Sequence, residues 1–183
     1  MNRYFSMDGE FSGLDHTKYD LISIGLVEVK NNNGIYKVDN TRKFYLELKP
    51  LHDRFDPESM KVNNLNFSNL YKYGSEPKEA CRQIIKYLDL KPGDTAVFVG
   101  YCNILDKIYT DQLFLAADME NPFHYETIEI SSLAIGKLGL EWGYSEETLE
   151  RKLGMNPMSS DKKQDALEDA LHQAEEFCRI INL

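Results

Sequence analysis

The order in which strand-like and helix-like segments follow one another constrains the fold of this chain more than any other feature. Strand character comes first, interrupted by turn residues such as those in "KNNNG". It is found in "YFSMDGEFSG" (4 to 13), "LISIGLVEV" (21 to 29), "IYKV" (35 to 38) and "FYLELKP" (44 to 50). The β-branched and aromatic residues of these segments predict a three-stranded antiparallel meander. Residues 51 to 74 show no firm period, which predicts a loop with a short helix.

The second half of the chain alternates between helices and strands. Strands are predicted at "TAVFVG" (95 to 100) and "ETIEIS" (126 to 131). Helical spacing is found in "EPKEACRQIIKYLDL", "LDKIYTDQLFLAAD" (105 to 118) and "QDALEDALHQAEEFCRII" (164 to 181). Ser75 is a candidate N-cap for the first of these helices. A meander followed by alternating strands and helices predicts an α/β domain with a mixed sheet.

Composition narrows the class of protein. A chain of 183 residues with 42% hydrophobic residues has the size and apolar content of one domain, spanning residues 1–183. The net charge of -9 argues against tight, non-specific coating of a nucleic-acid duplex, but it allows an enzyme that grips one end of a strand. Cys81, Cys102 and Cys178 are far apart in sequence, which suggests neither a disulfide framework nor a zinc site.

The chain carries none of the patterns that direct a protein to a membrane. The N-terminus has no basic region followed by an apolar stretch, and no apolar run approaches the roughly 18 residues of a spanning helix. Cysteines without a pairing pattern fit a reducing compartment. We therefore expect a cytoplasmic protein with no membrane partner.

Carboxylates stand where the predicted strands end. Asp8 and Glu10 are two positions apart, so both project from the same face of the first strand, where they would repel each other unless water or a cation lay between them. Asp106 follows the strand "VFVG" at the start of a helix, and Asp169 lies in the last helix. Ligands of α/β sheets gather at strand ends, so these four acids from remote segments are candidates for a common metal site.

These residues also fall in three recognisable motifs. "FSMDGEFSG" matches a D-x-E pair followed by a small hydroxyl residue and glycine. In "VGYCNILDKIY" a glycine precedes the aspartate by six residues and an aromatic, Tyr109, follows it by three. "IEISSLA" and then "QDALEDA" complete the series, with Asp169 in the last motif. Because these motifs occur in this order and at these separations, the chain resembles the DEDD superfamily of 3′-to-5′ exonucleases, the DnaQ-like branch of the ribonuclease H-like fold. The resemblance extends nearly from end to end.

The resemblance implies a fold and a metal site. The fold would be a mixed five-stranded sheet of the ribonuclease H-like type, an antiparallel meander followed by parallel strands, flanked by helices. Two Mg²⁺ or Mn²⁺ ions would be held by Asp8, touching both, by Glu10 and Asp169, touching one, and by Asp106 through water. Hard ions prefer carboxylate oxygens, and two of them about 3.5 to 4 Å apart can activate a water and relieve the leaving oxygen of its charge.

One departure from the family pattern concerns the general base. Gln164 occupies the position where the histidine-type families carry His, and Asp165 the position of the tyrosine in their sister families. Glutamine can orient a water but cannot accept its proton, and a positioned base contributes roughly 10²- to 10⁴-fold to the rate. Two other histidines could in principle take the place of this base. His172 is expected at the edge of the core or on the surface, and His124 in a solvated loop.

Two functions follow as alternatives. The first is a metal-dependent 3′-to-5′ exonuclease that acts on short RNA or single-stranded DNA and releases nucleoside 5′-monophosphates. By motif position, Phe11 and Ser12 would contact the 3′ end of the strand. The second is a catalytically impaired homologue that binds nucleic-acid ends or a protein partner. The retention of all four acids favours the enzyme, and Gln164 favours the binding module. The choice between RNA and DNA and the oligomeric state stay open.

Overall fold

The computed structural model describes residues 1–158 and 165–183, and in these residues five strands form one mixed sheet. The strands are β1 (Asn2–Phe11), β2 (Leu21–Asn32), β3 (Ile35–Glu47), β4 (Thr95–Gly100) and β5 (Phe123–Glu129). Their order across the sheet is β3-β2-β1-β4-β5. The first three strands pair antiparallel, whereas β4 pairs parallel with both β1 and β5. The predicted ribonuclease H-like α/β class, a meander followed by parallel strands, is confirmed.

Seven helices lie within the described residues. They are α1 (Pro57–Asn63), α2 (Phe67–Tyr73), α3 (Pro77–Leu88), α4 (Ile104–Ala116), α5 (Ile130–Leu138), α6 (Glu146–Leu153) and α7 (Ala166–Ile181). The segment predicted as a loop with a short helix therefore holds two, α1 and α2. Each begins at a side-chain cap, Asp56 for α1 and Asn66 for α2.

Two predicted boundaries were wrong. Ser75 does not cap α3, because that helix begins after Glu76, and the backbone N–H of Ser75 instead donates to Glu47 O at 3.0 Å. The strand predicted at 126 to 131 is β5, which begins at Phe123 and ends at Glu129. It ends there because the Glu129 carboxylate accepts hydrogen bonds from the backbone N–H groups of Ser131 and Ser132 and so starts α5.

Hydrophobic side chains cover both faces of the sheet. On one face Phe5, Met7 and Phe98 pack with residues of α3 and α4. On the other face Val27 and Val99 pack with residues of α5, α6 and α7. This double cover explains why β2 is a nearly continuous apolar run rather than an alternating one. Cys81, Cys102 and Cys178 are free thiols, and no helix in the described ranges is long and apolar enough to cross a membrane.

Candidate active site

The acidic pair of the first motif lies in the middle of the sheet. β1 is flanked by β2 and β4, and its residues Asp8 and Glu10 pair with Gly25 and Ser23 of β2. Alternation along the strand turns both carboxylates to one face. Glu10 is buried, with only 8% of its surface exposed. Two carboxylates are thus held side by side in a position that a soluble protein normally reserves for apolar residues.

A glycine lets the last helix approach this pair. Gly25 lies opposite Asp8, and a Cβ atom built on it would be only 2.0 Å from the carbonyl oxygen of Ala166 in α7. Ala166 and Ala170 are fully buried against the sheet. The first turn of α7 therefore rests directly on the backbone of β2, which carries Asp169 to the acidic pair. Ligand oxygens of Asp8, Glu10 and Asp169 lie within 4.8 Å of one another.

Asp106 approaches β1 from the start of α4. It is 7% exposed and lies outside the group of three carboxylates. Gly9 makes room for it, because a Cβ atom at Gly9 would be 3.2 Å from Asp106 Oδ1. Burial raises the pKa of Asp106 to about 7, although hydrogen bonds from its own backbone N–H and that of Gly9 act in the opposite direction. The structure thus brings all four predicted acids to one region.

The four acids strongly disfavour one another's charge. Burial raises the pKa of Asp8 well above its usual value, and the charges of Asp106, Asp169 and Glu10 add to the effect. Burial, followed by the charges of Asp169 and Asp106, raises the pKa of Glu10 to about 8. A divalent cation would offset this repulsion, and the ligands on offer are oxygen atoms only. The group formed by Asp8, Glu10 and Asp169 can therefore hold a metal ion.

Gln173 is a site residue that the sequence analysis missed. Its Nε2 donates a hydrogen bond to Asp8 Oδ1 at 2.8 Å, and its Oε1 accepts one from the backbone N–H of Tyr101 at 3.0 Å. It lies four residues after Asp169 on α7, so the two side chains share a helix face. The four-residue spacing from Asp169 was the feature of the sequence from which this role of Gln173 could have been predicted.

The acids line an open cavity of about 1100 Å³. Phe11 also lines it, and its ring stacks on Tyr109 with the ring centroids 4.4 Å apart. Ser12 does not fit the expectation of a side-chain contact with substrate. It is fully buried, and its Oγ accepts a hydrogen bond from the backbone N–H of Asp20 at 2.9 Å, which fixes the loop after β1. Trp142, 92% exposed, stands at the cavity wall.

The region of the expected general base is only partly described. Gln164 lies outside the described residues, so its predicted place stays a prediction. Asp165 is the N-cap of α7, accepting hydrogen bonds from the backbone N–H groups of Leu167 and Glu168 at 3.0 and 3.1 Å. His172 lies at the cavity wall with 12% of its side chain exposed, and His124 lies on β5 with 36% exposed.

Comparison with known proteins identifies the lineage. No protein-family model matches the chain. The chain is 29% identical over 181 residues to the 3′-5′ DNA exonuclease Cap18 of Escherichia coli, covering 98% of this chain and 91% of that protein. Its fold matches the nuclease domain of 3′hExo, a DEDDh family member bound to rAMP, with a TM-score of 0.77 at 13% identity, over 97% of this chain and 90% of that one. These similarities support the assignment of the chain to the DEDD superfamily of 3′-to-5′ exonucleases.

A further relative is similar over nearly the same span. Ribonuclease T of Shewanella baltica is 25% identical over 184 residues, which cover 96% of this chain and 80% of that protein. These similarities extend from the strand of Asp8 to the helix of Asp169. The DEDD acids of this chain are therefore part of a scaffold shared along its whole length.

Proposed function

We propose that the protein is a metal-dependent 3′-to-5′ exonuclease that hydrolyses the terminal phosphodiester bond of short RNA or single-stranded DNA and releases nucleoside 5′-monophosphates. The observation that carries this proposal is the meeting of Asp8, Glu10 and Asp169 within 4.8 Å in an open cavity. Three carboxylates in one place, one of them buried and the other two partly buried, are unfavourable unless cations join them. Phosphodiester hydrolysis uses such an arrangement.

We assign the metal ligands from this geometry and from the motifs. Asp8 would contact two Mg²⁺ or Mn²⁺ ions, Glu10 and Asp169 one each, and Asp106 would act through water. The chemistry that such ions supply when bound is activation of a water and stabilisation of the leaving 3′ oxygen. Gln173 supports Asp8 by holding one of its oxygens, so that the carboxylate presents the other to the cavity.

The substrate we propose is the 3′ end of a single strand. An open cavity beside the carboxylates admits a chain end, and Phe11, held in place by Tyr109, offers a ring on which the last base can stack. The name of one relative specifies DNA and that of another specifies RNA, and the 3′hExo structure is bound to rAMP. We therefore propose both nucleic acids as substrates to be tested.

The test is hydrolysis of short 5′-labelled RNA and DNA with Mn²⁺ or Mg²⁺. Products that shorten one nucleotide at a time from the 3′ end, together with released 5′-monophosphates, support the proposal. Asp106→Asn should be strongly impaired. Asp111→Asn is the matched control, since Asp111 lies on the same helix but is exposed and pairs with Lys107. A protein that binds metal and strand ends but cleaves no oligonucleotide would overturn the proposal in favour of a binding module.

A further inference from the structure

A second cluster of ionisable side chains lies where α6 packs against α7, away from the acids of β1. Its centre is the ring of His172. The Nε2 atom of His172 is 3.1 Å from Glu150 Oε1, 3.6 Å from Glu176 Oε1 and 4.0 Å from Glu146 Oε1. One imidazole nitrogen thus faces three carboxylates that come from two helices.

The inner part of this cluster is buried, and two of its polar atoms lack hydrogen bonds. The side chains of Glu150 and Glu176 are 4% and 1% exposed. Neither His172 Nε2 nor Glu176 Oε1 makes a hydrogen bond with any other described residue. The contact between His172 and Glu150 is short but lacks hydrogen-bond geometry, whereas Glu150 Oε1 is fixed by the backbone N–H of Met158 at 3.2 Å. Glu150 Oε1 therefore lies close to His172 Nε2, but the two atoms are not aligned for a hydrogen bond.

Protonation of His172 would balance only one of the two buried carboxylates, Glu150 and Glu176. Among the residues that the structure describes, no lysine or arginine pairs with Glu150 or Glu176. Burial, followed by the charges of Glu146 and Glu150, raises the pKa of Glu176 to about 8. The cluster needs a proton or a cation to be stable, and a buried charge left unpaired is costly.

We propose that Glu146, Glu150 and His172 bind a transition-metal ion such as Zn²⁺, with Glu176 as a third carboxylate beside it. Ligand atoms of the first three lie within 4.8 Å of one another. Tetrahedral Zn²⁺ with ligands at 2.0 to 2.2 Å separates neighbouring ligand atoms by about 3.3 Å. The distances from His172 Nε2 to Glu150 and Glu176, 3.1 and 3.6 Å, lie close to that value, and the exposed Glu146, at 4.0 Å, would have to move closer to complete the site.

The donor set separates this site from the acids of β1. An imidazole nitrogen favours Zn²⁺ over Mg²⁺, whereas a site of carboxylates alone suits Mg²⁺ or Mn²⁺. The metal would join α6 to α7 and place positive charge on the wall of the cavity that Asp8 and Asp169 line, because Glu146, His172 and Glu176 line it as well. This inference does not depend on the proposed nuclease activity.

The experiment measures zinc retained by the protein. The chelator-treated full chain is incubated with Zn²⁺ in excess Mg²⁺, which competes for the acids of β1, then desalted and analysed for metal by mass spectrometry. We expect one retained zinc per chain, and loss of it in His172→Gln and in Glu150→Gln. His124→Gln is the matched control, since His124 lies 3.8 Å from the single carboxylate of Glu126 and should have no effect.

A spectroscopic readout and a folding control complete the test. Co²⁺ in place of Zn²⁺ should give visible absorption bands of a tetrahedral site in the wild type and in His124→Gln only. Circular dichroism of the metal-free His172→Gln and Glu150→Gln proteins shows whether each one folds. If one of them does not fold, zinc retention by the other tests the proposal. Wild-type protein that retains no zinc, or variants that retain as much as the wild type, would show that the cluster is balanced by protons alone and overturn the proposal. Either result leaves nuclease activity with Mg²⁺ or Mn²⁺ as a separate measurement.

Discussion

Gln173 Nε2 donates a hydrogen bond of 2.8 Å to Asp8 Oδ1. The same amide accepts a hydrogen bond through its oxygen from the backbone N–H of Tyr101 at 3.0 Å. Tyr101 directly follows β4, so one side chain of α7 connects the ends of two neighbouring strands. Because one end of the amide meets an acceptor and the other a donor, its orientation is fixed. Gln173 therefore holds the carboxylate that the proposed mechanism places between two ions.

Replacing this amide should weaken metal binding more than folding. We expect Gln173→Leu to lower hydrolysis by about 10- to 100-fold and to raise the Mg²⁺ or Mn²⁺ concentration needed for half-maximal rate, because an outer-shell partner orients the ligand. The measurement is rate against metal concentration. Gln83→Leu serves as control, since the exposed side-chain hydrogen bond of Gln83 within the described ranges goes to Glu79 of its own helix. An unchanged metal dependence in Gln173→Leu would assign Gln173 a structural role only.

The approach of α7 to the sheet can be tested with a pair of glycines. A methyl group at Gly25 would overlap the backbone of Ala166, whereas one at Gly136 in α5 would meet nothing within 4 Å. We expect Gly25→Ala to lower the free energy of unfolding by roughly 1 to 3 kcal/mol and to reduce metal binding, because α7 must move away with Asp169. Gly136→Ala should stabilise by about 0.5 to 1 kcal/mol. Chemical denaturation of both variants checks the contrast.

The succession of strands along the chain and the meeting of remote acids could be predicted from the sequence because each depends on local pattern and on general rules. Apolar runs define the strands, and strand ends in α/β sheets converge. Gly25 also left a sign, since a glycine inside a buried strand often marks the close approach of another backbone. The glycine alone does not identify the segment that approaches, which the structure shows to be the first turn of α7.

Other features depend on tertiary contacts that no local pattern contains. Ser12 matches a motif position, yet its hydroxyl accepts a hydrogen bond from the backbone N–H of Asp20, eight residues later. His172 was expected at the edge of the core, and it lies there, but its acidic neighbours on α6 are more than twenty residues away in sequence. Ser75 is a good cap by residue type, but the position of the helix start is set by Pro77, which suits the first turn of a helix.

Divalent ions should stabilise the folded protein through the acids of β1. Metal that binds only the folded state raises stability by about 2.7 kcal/mol at a concentration 100 times its Kd. We expect Mg²⁺ or Mn²⁺ to raise the melting temperature and Asp8→Ala to abolish that rise, as measured by differential scanning fluorimetry. Asp111→Ala, which removes an exposed carboxylate, should keep it. A full rise in Asp8→Ala would place the stabilising ion elsewhere.

Without metal, stability should fall as pH rises. The pKa of Glu10 is raised from 4.5 to about 8 on folding, so the folded state binds its proton more tightly than the unfolded state does. The stabilisation from that proton is complete below the unfolded pKa and is lost as pH rises through about 8. In the presence of a chelator we expect the melting temperature to decrease over this range, and Glu10→Gln to decrease less. Equal slopes for both proteins would contradict the coupling of the acids.

The last prediction concerns Gln164, the position where the chain departs most from the DEDD pattern. If the metal-binding acids are intact and only a proton acceptor is missing, Gln164→His should raise hydrolysis by at least about tenfold, a conservative fraction of the roughly 10²- to 10⁴-fold contribution of a general base. The gain should be greatest above about pH 6.5, because only neutral imidazole accepts a proton. Rates are compared between pH 5.5 and 9 for both proteins, a range chosen to span the ordinary pKa of histidine at about 6.5. Gln164→Asn is the control, since it keeps an amide that cannot act as a base. A Gln164→His rate equal to that of the wild type at every pH would mean that the native site already supplies its own proton acceptor, and the slow turnover expected from glutamine would then be wrong.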